Sequence, residues 1–305
     1  MKVGLYSVTY SGLWYAGAPL SVEEFISGAK ELGFQGVELA LKRPHASPVD
    51  VDEKGCERIR QALDRQGVEL AACASYNDFS SPVLERREAD LYFVKGQIEL
   101  VRALGAGILR VFAAWPGVTL RDGIGTYDMT RRYVQAHHPD TTHLEKWRFV
   151  REMLREAAGF AEEAGVTLAL QNHEPIIERY TDMLAFIREV DSPALKACLD
   201  CPLLRPRAGE PEYVAHAVRD TGELQVHSHF GGEFHRDEQG RAQLNENVAY
   251  PAFVEALKEI GYDGYICYEF CHPCLDDKHD PAGVEKVDEQ SRMAAEYMRR
   301  LIDEA

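Results

Sequence analysis

Four polar residues stand at or near the ends of apolar runs in this chain. Gln171 closes Val166–Gln171, Asp200 closes Leu195–Asp200, His227 lies within Glu223–Phe230, and Glu269 lies next to the end of Gly264–Phe270. One imidazole, two carboxylates and an amide oxygen make a donor set for a divalent cation with positions left open for a substrate. Carboxylates that meet at one point repel unless a cation or a proton lies between them. Side chains alternate along a strand, so His227 and His229 share a face, as do Gln171 and His173 if that strand continues. Glu38 ends another run, Gly36–Ala40, and Arg110 lies inside Gly107–Ala113.

These residues converge only if the runs that carry them are neighbours. Eight apolar runs recur along the chain: the six above with Val3–Val8 and Val68–Ala74. Amphipathic stretches of helical period separate them: Ser21–Leu32, Asp52–Gln66, Glu85–Leu104, Glu145–Ala164, Thr181–Val190, Pro211–Thr221 and Tyr250–Ile260, with Val284–Ile302 at the end. Ser-Val-Glu-Glu at 21–24 reads as a capping box. Gly33, Gly67, Gly105, Gly165 and Gly261 follow helical stretches and suit left-handed caps before the next strand. Eight such units predict an α/β fold, a single (β/α)8 barrel over residues 1–305 with a parallel eight-stranded core. A doubly wound open sheet is the alternative, and the lack of a G-x-G-x-x-G after the first run removes its best support. In a barrel the chemistry sits at the carboxyl ends of the strands, where the polar residues above lie.

Composition narrows the partners. The 305 residues carry a net charge of −16, which disfavours phosphate backbones and anionic membrane surfaces. With 45% hydrophobic and 28% charged residues, the chain has the makings of a packed core rather than a disordered tail. Seven cysteines, an odd number in a long chain, point to a reducing, cytoplasmic location. The first residues lack the apolar core of a signal peptide, and no apolar run reaches the ~18 residues of a membrane span. Two C-x-x-C pairs, Cys198/Cys201 and Cys271/Cys274, lie too far apart for a zinc ribbon. The aromatics Tyr6, Tyr10, Trp14 and Tyr15 are expected mostly in the core, and Gly231–Asn245 as an exposed loop.

The phrases "GFQGVELA", "LALQNH", "KACLDCPLL", "LQVHSHFGG" and "YDGYICYEF" resemble strand motifs of the xylose-isomerase-like superfamily of sugar isomerases and epimerases. The resemblance implies one divalent metal, Mn²⁺ first and Mg²⁺, Co²⁺ or Zn²⁺ as alternatives, held by Gln171, Asp200, His227 and Glu269. The family pattern has Glu where this chain has Gln171. In sugar epimerases of that pattern the two Glu act as acid and base, and an amide cannot abstract a proton. Glu269 then shares the catalytic work with a histidine: His173, His229, or one of His137, His138 and His143 in the long segment after the fourth run. His143 and His173 are taken as catalytic candidates; Glu38, Arg110, His229 and Asn172 as substrate-binding ones. "LALQNHEP", "CLDCPLL" and "YEFCHPC" resemble the branch acting on 3-keto sugars, including C-glycoside deglycosidases. That implies a small-molecule sugar substrate and β-elimination or deglycosylation through an enediolate, with isomerisation or 3-epimerisation as the alternative. It also leaves open a homo-oligomer, or a subunit that works only with a second chain.

Overall fold

The computed structural model describes residues 1–115, 117–128 and 138–305. Eight strands close a parallel barrel: β1 (Lys2–Tyr6), β2 (Gly36–Ala40), β3 (Glu69–Ala74), β4 (Ile108–Val111), β5 (Thr167–Gln171), β6 (Leu195–Asp200), β7 (Gln225–Phe230) and β8 (Tyr265–Tyr268). Each pairs with the next, and β8 returns to β1 with Lys2 beside Tyr265. The described helices are α1 (Val22–Glu31), α2 (Glu53–Gln66), α3 (Leu84–Leu104), α4 (His143–Ala164), α5 (Tyr180–Val190), α6 (Pro211–Thr221), α7 (Tyr250–Glu259) and α8 (Val284–Glu304). This is the α/β barrel that the eight-fold rhythm predicts.

Local chemistry explains the boundaries. Ser21 and Glu24 form the expected capping box, and Thr142 with Glu145 forms a second that starts α4 two residues before the expected Glu145. Gly67, Gly105 and Gly165 end α2, α3 and α4 with φ of 60°, 81° and 69°, a region that costs a side chain strain. The helices bury one face against the barrel, as α4 does with Val150, Leu154, Ala157 and Ala161. Burying a side chain the size of Leu154 contributes roughly 1.5–3 kcal/mol. No helix among the described residues is long and apolar enough to cross a membrane.

Two hairpins stand outside the barrel. Thr119–Arg121 pairs with Ile124–Thr126 in the long segment after β4. Phe234–Arg236 pairs with Ala242–Leu244, so Gly231–Asn245 is not the plain exposed loop its polar composition implied. Phe234 is buried, and Gln290 of α8 brackets its backbone with two hydrogen bonds, which ties the hairpin down.

Register decides which side chains meet. A shift between Ala197 and Cys198 sets Asp200 of β6 beside His229 of β7, and Cys198 beside His227. On the other side, His229 pairs with Cys267 of β8, two residues before Glu269.

Candidate active site

Glu38 is the hub of the barrel interior. It is completely buried, and Oε1 accepts from Arg110 Nε at 2.8 Å. Oε2 accepts from His227 Nε2 at 3.0 Å and from His229 Nε2 at 2.6 Å. Burial alone would raise this carboxyl, but His229, Arg110 and His227 together hold it well below the usual range. Arg110 also donates from Nη1 to Gln171 Oε1 at 2.6 Å, and Gln171 Nε2 donates to Asp200 Oδ2 at 2.7 Å. A continuous chain of hydrogen bonds thus runs from the imidazoles of β7 across the barrel to Asp200.

Asp200, His229 and Glu269 form the outer cluster, with one donor atom of each within 4.8 Å of the others. His229 Nδ1 lies 2.9 Å from Glu269 Oε2 and 3.9 Å from Asp200 Oδ2. Both ring nitrogens of His229 therefore face carboxylates. Burial would lower its pKa, yet Glu38 and Glu269 outweigh burial and Arg110, and the imidazole is raised to about 9. Glu269 would be raised by burial, but its bond to His229 lowers it. Asp200 is pushed up to about 6 by burial, and its Oδ1 is buried with no hydrogen-bond partner.

This differs from the expected ligand set in two ways. His227 sits one pleat deeper, spent on Glu38, and its other close donor neighbour is the Cys267 thiol rather than Asp200 or Glu269. Burial keeps His227 below its usual pKa and that thiol far above its own. A cation there would also face the Arg110 guanidinium, which already balances Glu38. His229, expected among the substrate-binding residues, occupies the place given to His227. Gln171 is the second difference: its oxygen accepts from Arg110 and its nitrogen donates to Asp200.

The other expected residues are scattered. Asn172 brackets the Asp200 backbone, accepting from its N–H at 2.7 Å and donating to its carbonyl at 3.1 Å. His173 is half-buried, edge-on to Phe112 and Trp115, with Nδ1 bonded to the Glu174 carbonyl. That carbonyl only accepts, so Nδ1 carries the proton, and burial lowers the ring to about 4. His143 is exposed on the first turn of α4 against Trp147, away from the cluster, because the capping box begins the helix there. His138 is half-buried at the end of the long segment, and His137 lies outside the described residues.

Two spaces open beside Glu269. A cavity of about 590 Å³ is lined by Asp200 and Glu269 with Leu203, Arg205, Phe230, Glu246, Asn247 and His272. A narrow cleft on the other side is lined by Glu269 with Tyr6, Trp14, Lys42, Tyr76, Arg110, Trp115 and Tyr127. Tyr6, Tyr10, Trp14 and Tyr15 are all buried, and Tyr6 and Trp14 also border the cleft.

A model of the xylose isomerase-like TIM barrel matches residues 26–301. The chain belongs to that family. Among solved structures it is similar to D-psicose 3-epimerase from Clostridium cellulolyticum H10, at 20% identity and a TM-score of 0.73 over 99% of both chains. It is also similar to 3-keto-D-glucoside 4-epimerase from E. coli, at 20% identity and 0.70 over 98% of this chain and 99% of that one. L-ribulose 3-epimerase is a third, at 19% identity and 0.70 over 99% and 95%. At such identities the likeness is one of fold.

Within this xylose isomerase-like barrel, Lys42 and Tyr76 also line the narrow cleft, although neither was among the expected site residues. Tyr76 stands just past the end of β3, and its hydroxyl meets that of Tyr6 on β1 at 2.5 Å.

Proposed function

We propose that this protein is a divalent-metal-dependent enzyme that epimerises a keto sugar at the carbon beside its carbonyl. The observation that carries the reading is the Asp200–His229–Glu269 cluster, with Asp200 and His229 buried, Glu269 half-buried and Asp200 Oδ1 unpartnered, facing a cavity of sugar-binding size. Two carboxylates and an imidazole nitrogen gathered at one point fit a cation, and Glu38 turns His229 Nδ1 toward it. The oxygen-rich set suits Mn²⁺ or Mg²⁺, and the imidazole admits Co²⁺ or Zn²⁺. Such an ion polarises a carbonyl and makes the neighbouring C–H acidic.

The named reactions of the similar proteins share this chemistry. A ketohexose 3-epimerase and a 3-keto-glucoside 4-epimerase both invert a carbon next to a ketone. In this chain Glu269 is the base: it stays ionised beside His229 and borders both spaces. Glu38 and Arg110, fully buried and paired, support the site from below and do not meet the sugar.

Gln171 favours a second reading, β-elimination from a keto-glycoside. Its amide carries no transferable proton and is held by Arg110 and Asp200, so a reaction with one carboxylate base and a departing group fits as well. The test is to load the protein with Mn²⁺ and follow 3-keto-D-glucosides and D-psicose by NMR in D₂O. Deuterium entering beside the carbonyl with inversion supports epimerisation. Loss of a β substituent supports elimination. No exchange with any keto sugar overturns both.

A further inference from the structure

The cavity beside the cluster is larger than a single sugar needs. A free ketohexose has about twelve non-hydrogen atoms, and even at the ~30 Å³ that a water molecule takes in the liquid it would fill about 360 Å³. The cavity holds about 590 Å³, which leaves room for a group attached to the sugar. One stretch of its wall, residues 202–210, follows Asp200 out of β6, and another, residues 246–248, follows the hairpin after β7. The two stretches lock together: the Ala249 N–H donates to the Ala208 carbonyl at 2.8 Å, and a side chain at Gly209 would strike Asn247. This wall is therefore held in place.

Much of its surface is apolar. Pro202, Leu203, Pro206 and Val248 all line the cavity, and none of them is fully buried. Two acids of the wall are already engaged: Glu210 accepts from Arg207 at 2.6 Å, and Glu246 accepts from the Glu233 N–H at 3.0 Å. Arg205 is exposed, so its head stays in water while its stem adds to the wall. Apolar side chains left facing water inside a cavity gain by being covered, and a free ketose, with a hydroxyl on nearly every carbon, covers them poorly.

We propose that this wall is a subsite for an apolar aglycone. The substrate is then a keto-glycoside whose sugar ring meets the Asp200–His229–Glu269 cluster while its aglycone lies on Leu203 and Val248. This rests on the reading of the cavity as the keto-sugar site, and deepens it by naming what the sugar carries. Covering the wall takes apolar surface of both partners out of water, worth about fourfold in affinity for each buried methylene. A second sugar in the same place would bring hydroxyls to a surface with few partners for them.

The experiment measures binding of methyl β-D-glucoside, phenyl β-D-glucoside and cellobiose to Mn²⁺-loaded wild type, Leu203→Asn and Val248→Thr by isothermal titration calorimetry. Turnover of the matching 3-keto-glucosides is followed by NMR. Both substitutions nearly keep the side chain's size and make it polar, and circular dichroism with thermal melting confirms folding. In wild type the phenyl glucoside should bind roughly tenfold or more tightly than the methyl one, with cellobiose no better than methyl. Each variant should lower the phenyl-to-methyl ratio by about 3–10-fold, in affinity and in kcat/KM alike. No binding of the phenyl glucoside, equal affinity for phenyl and methyl, tighter binding of cellobiose than of phenyl, or a ratio unchanged in both variants would each overturn the subsite. A phenyl preference that falls in the variants, with no turnover of any 3-keto-glucoside, overturns the proposed reaction and leaves the subsite standing.

Discussion

Glu38 Oε2 lies 2.6 Å from His229 Nε2, and this bond determines which nitrogen of the imidazole faces Asp200 and Glu269. An ionised carboxylate only accepts, so the Nε2 proton is fixed and Nδ1 is aimed at the cluster. Glu38 thus stands behind the candidate metal site as its orienting carboxylate.

Glu38→Gln should weaken Mn²⁺ binding by about 10–100-fold, the usual cost of removing such an outer partner. The amide must set its NH₂ against either Arg110 or the two imidazoles, which are all donors there. It also leaves Arg110 buried without its counter-charge, so folding stability should fall by ~3–5 kcal/mol. Metal titration and urea denaturation measure the two effects separately.

Asp200→Ala should abolish stoichiometric metal retention while the barrel still folds. Asp200 is buried, and its backbone remains clamped by Asn172 in the variant. Mass spectrometry of acid-digested protein gives the metal content. A variant that keeps its metal as well as wild type does would remove Asp200 from the ligand set.

Gln171→Glu puts a carboxylate against Asp200 Oδ2 in place of a donor 2.7 Å away. Without metal, the lost hydrogen bond and the new repulsion should cost ~1–3 kcal/mol. With Mn²⁺ present the extra charge becomes favourable, so added metal should raise Tm more in the variant than in wild type. The added acid–base group should also shift product distribution toward inversion. Unchanged products and an unchanged metal response would show that the amide has no part in the reaction.

Asp90 on α3 supplies a pH test away from the site. One of its oxygens is buried without a hydrogen-bond partner, and burial pushes the carboxyl up to about 6. The native state then holds its proton more tightly than the unfolded chain does. The contribution of Asp90 to stability is fullest below pH ~4 and declines as pH rises toward 6, by up to ~3 kcal/mol for a shift of this size. Asp90→Asn should therefore be more stable than wild type at pH 7 and lose that advantage near pH 4. Urea denaturation at both pH values measures it.

The barrel was legible in the sequence because its signals are local. Apolar runs of strand length, helical periods between them, and glycines after helices such as α2 and α4 each depend on nearby residues only. The polar residues that end β5, β6 and β8 marked the mouth for the same reason. Gln171, Asp200 and Glu269 do meet there.

Partnership across strands was not local, and the tertiary structure decided it. Alternation puts His227 and His229 on one face but does not say which lies at the level of Asp200. The register shift between Ala197 and Cys198 does, and it chooses His229. Alternation also points Arg110 inward without saying whom it meets. Its long side chain reaches both Glu38 on β2 and Gln171 on β5. A chain of charges and hydrogen bonds that crosses the barrel follows from closure and register, and neither is written in any one stretch of residues.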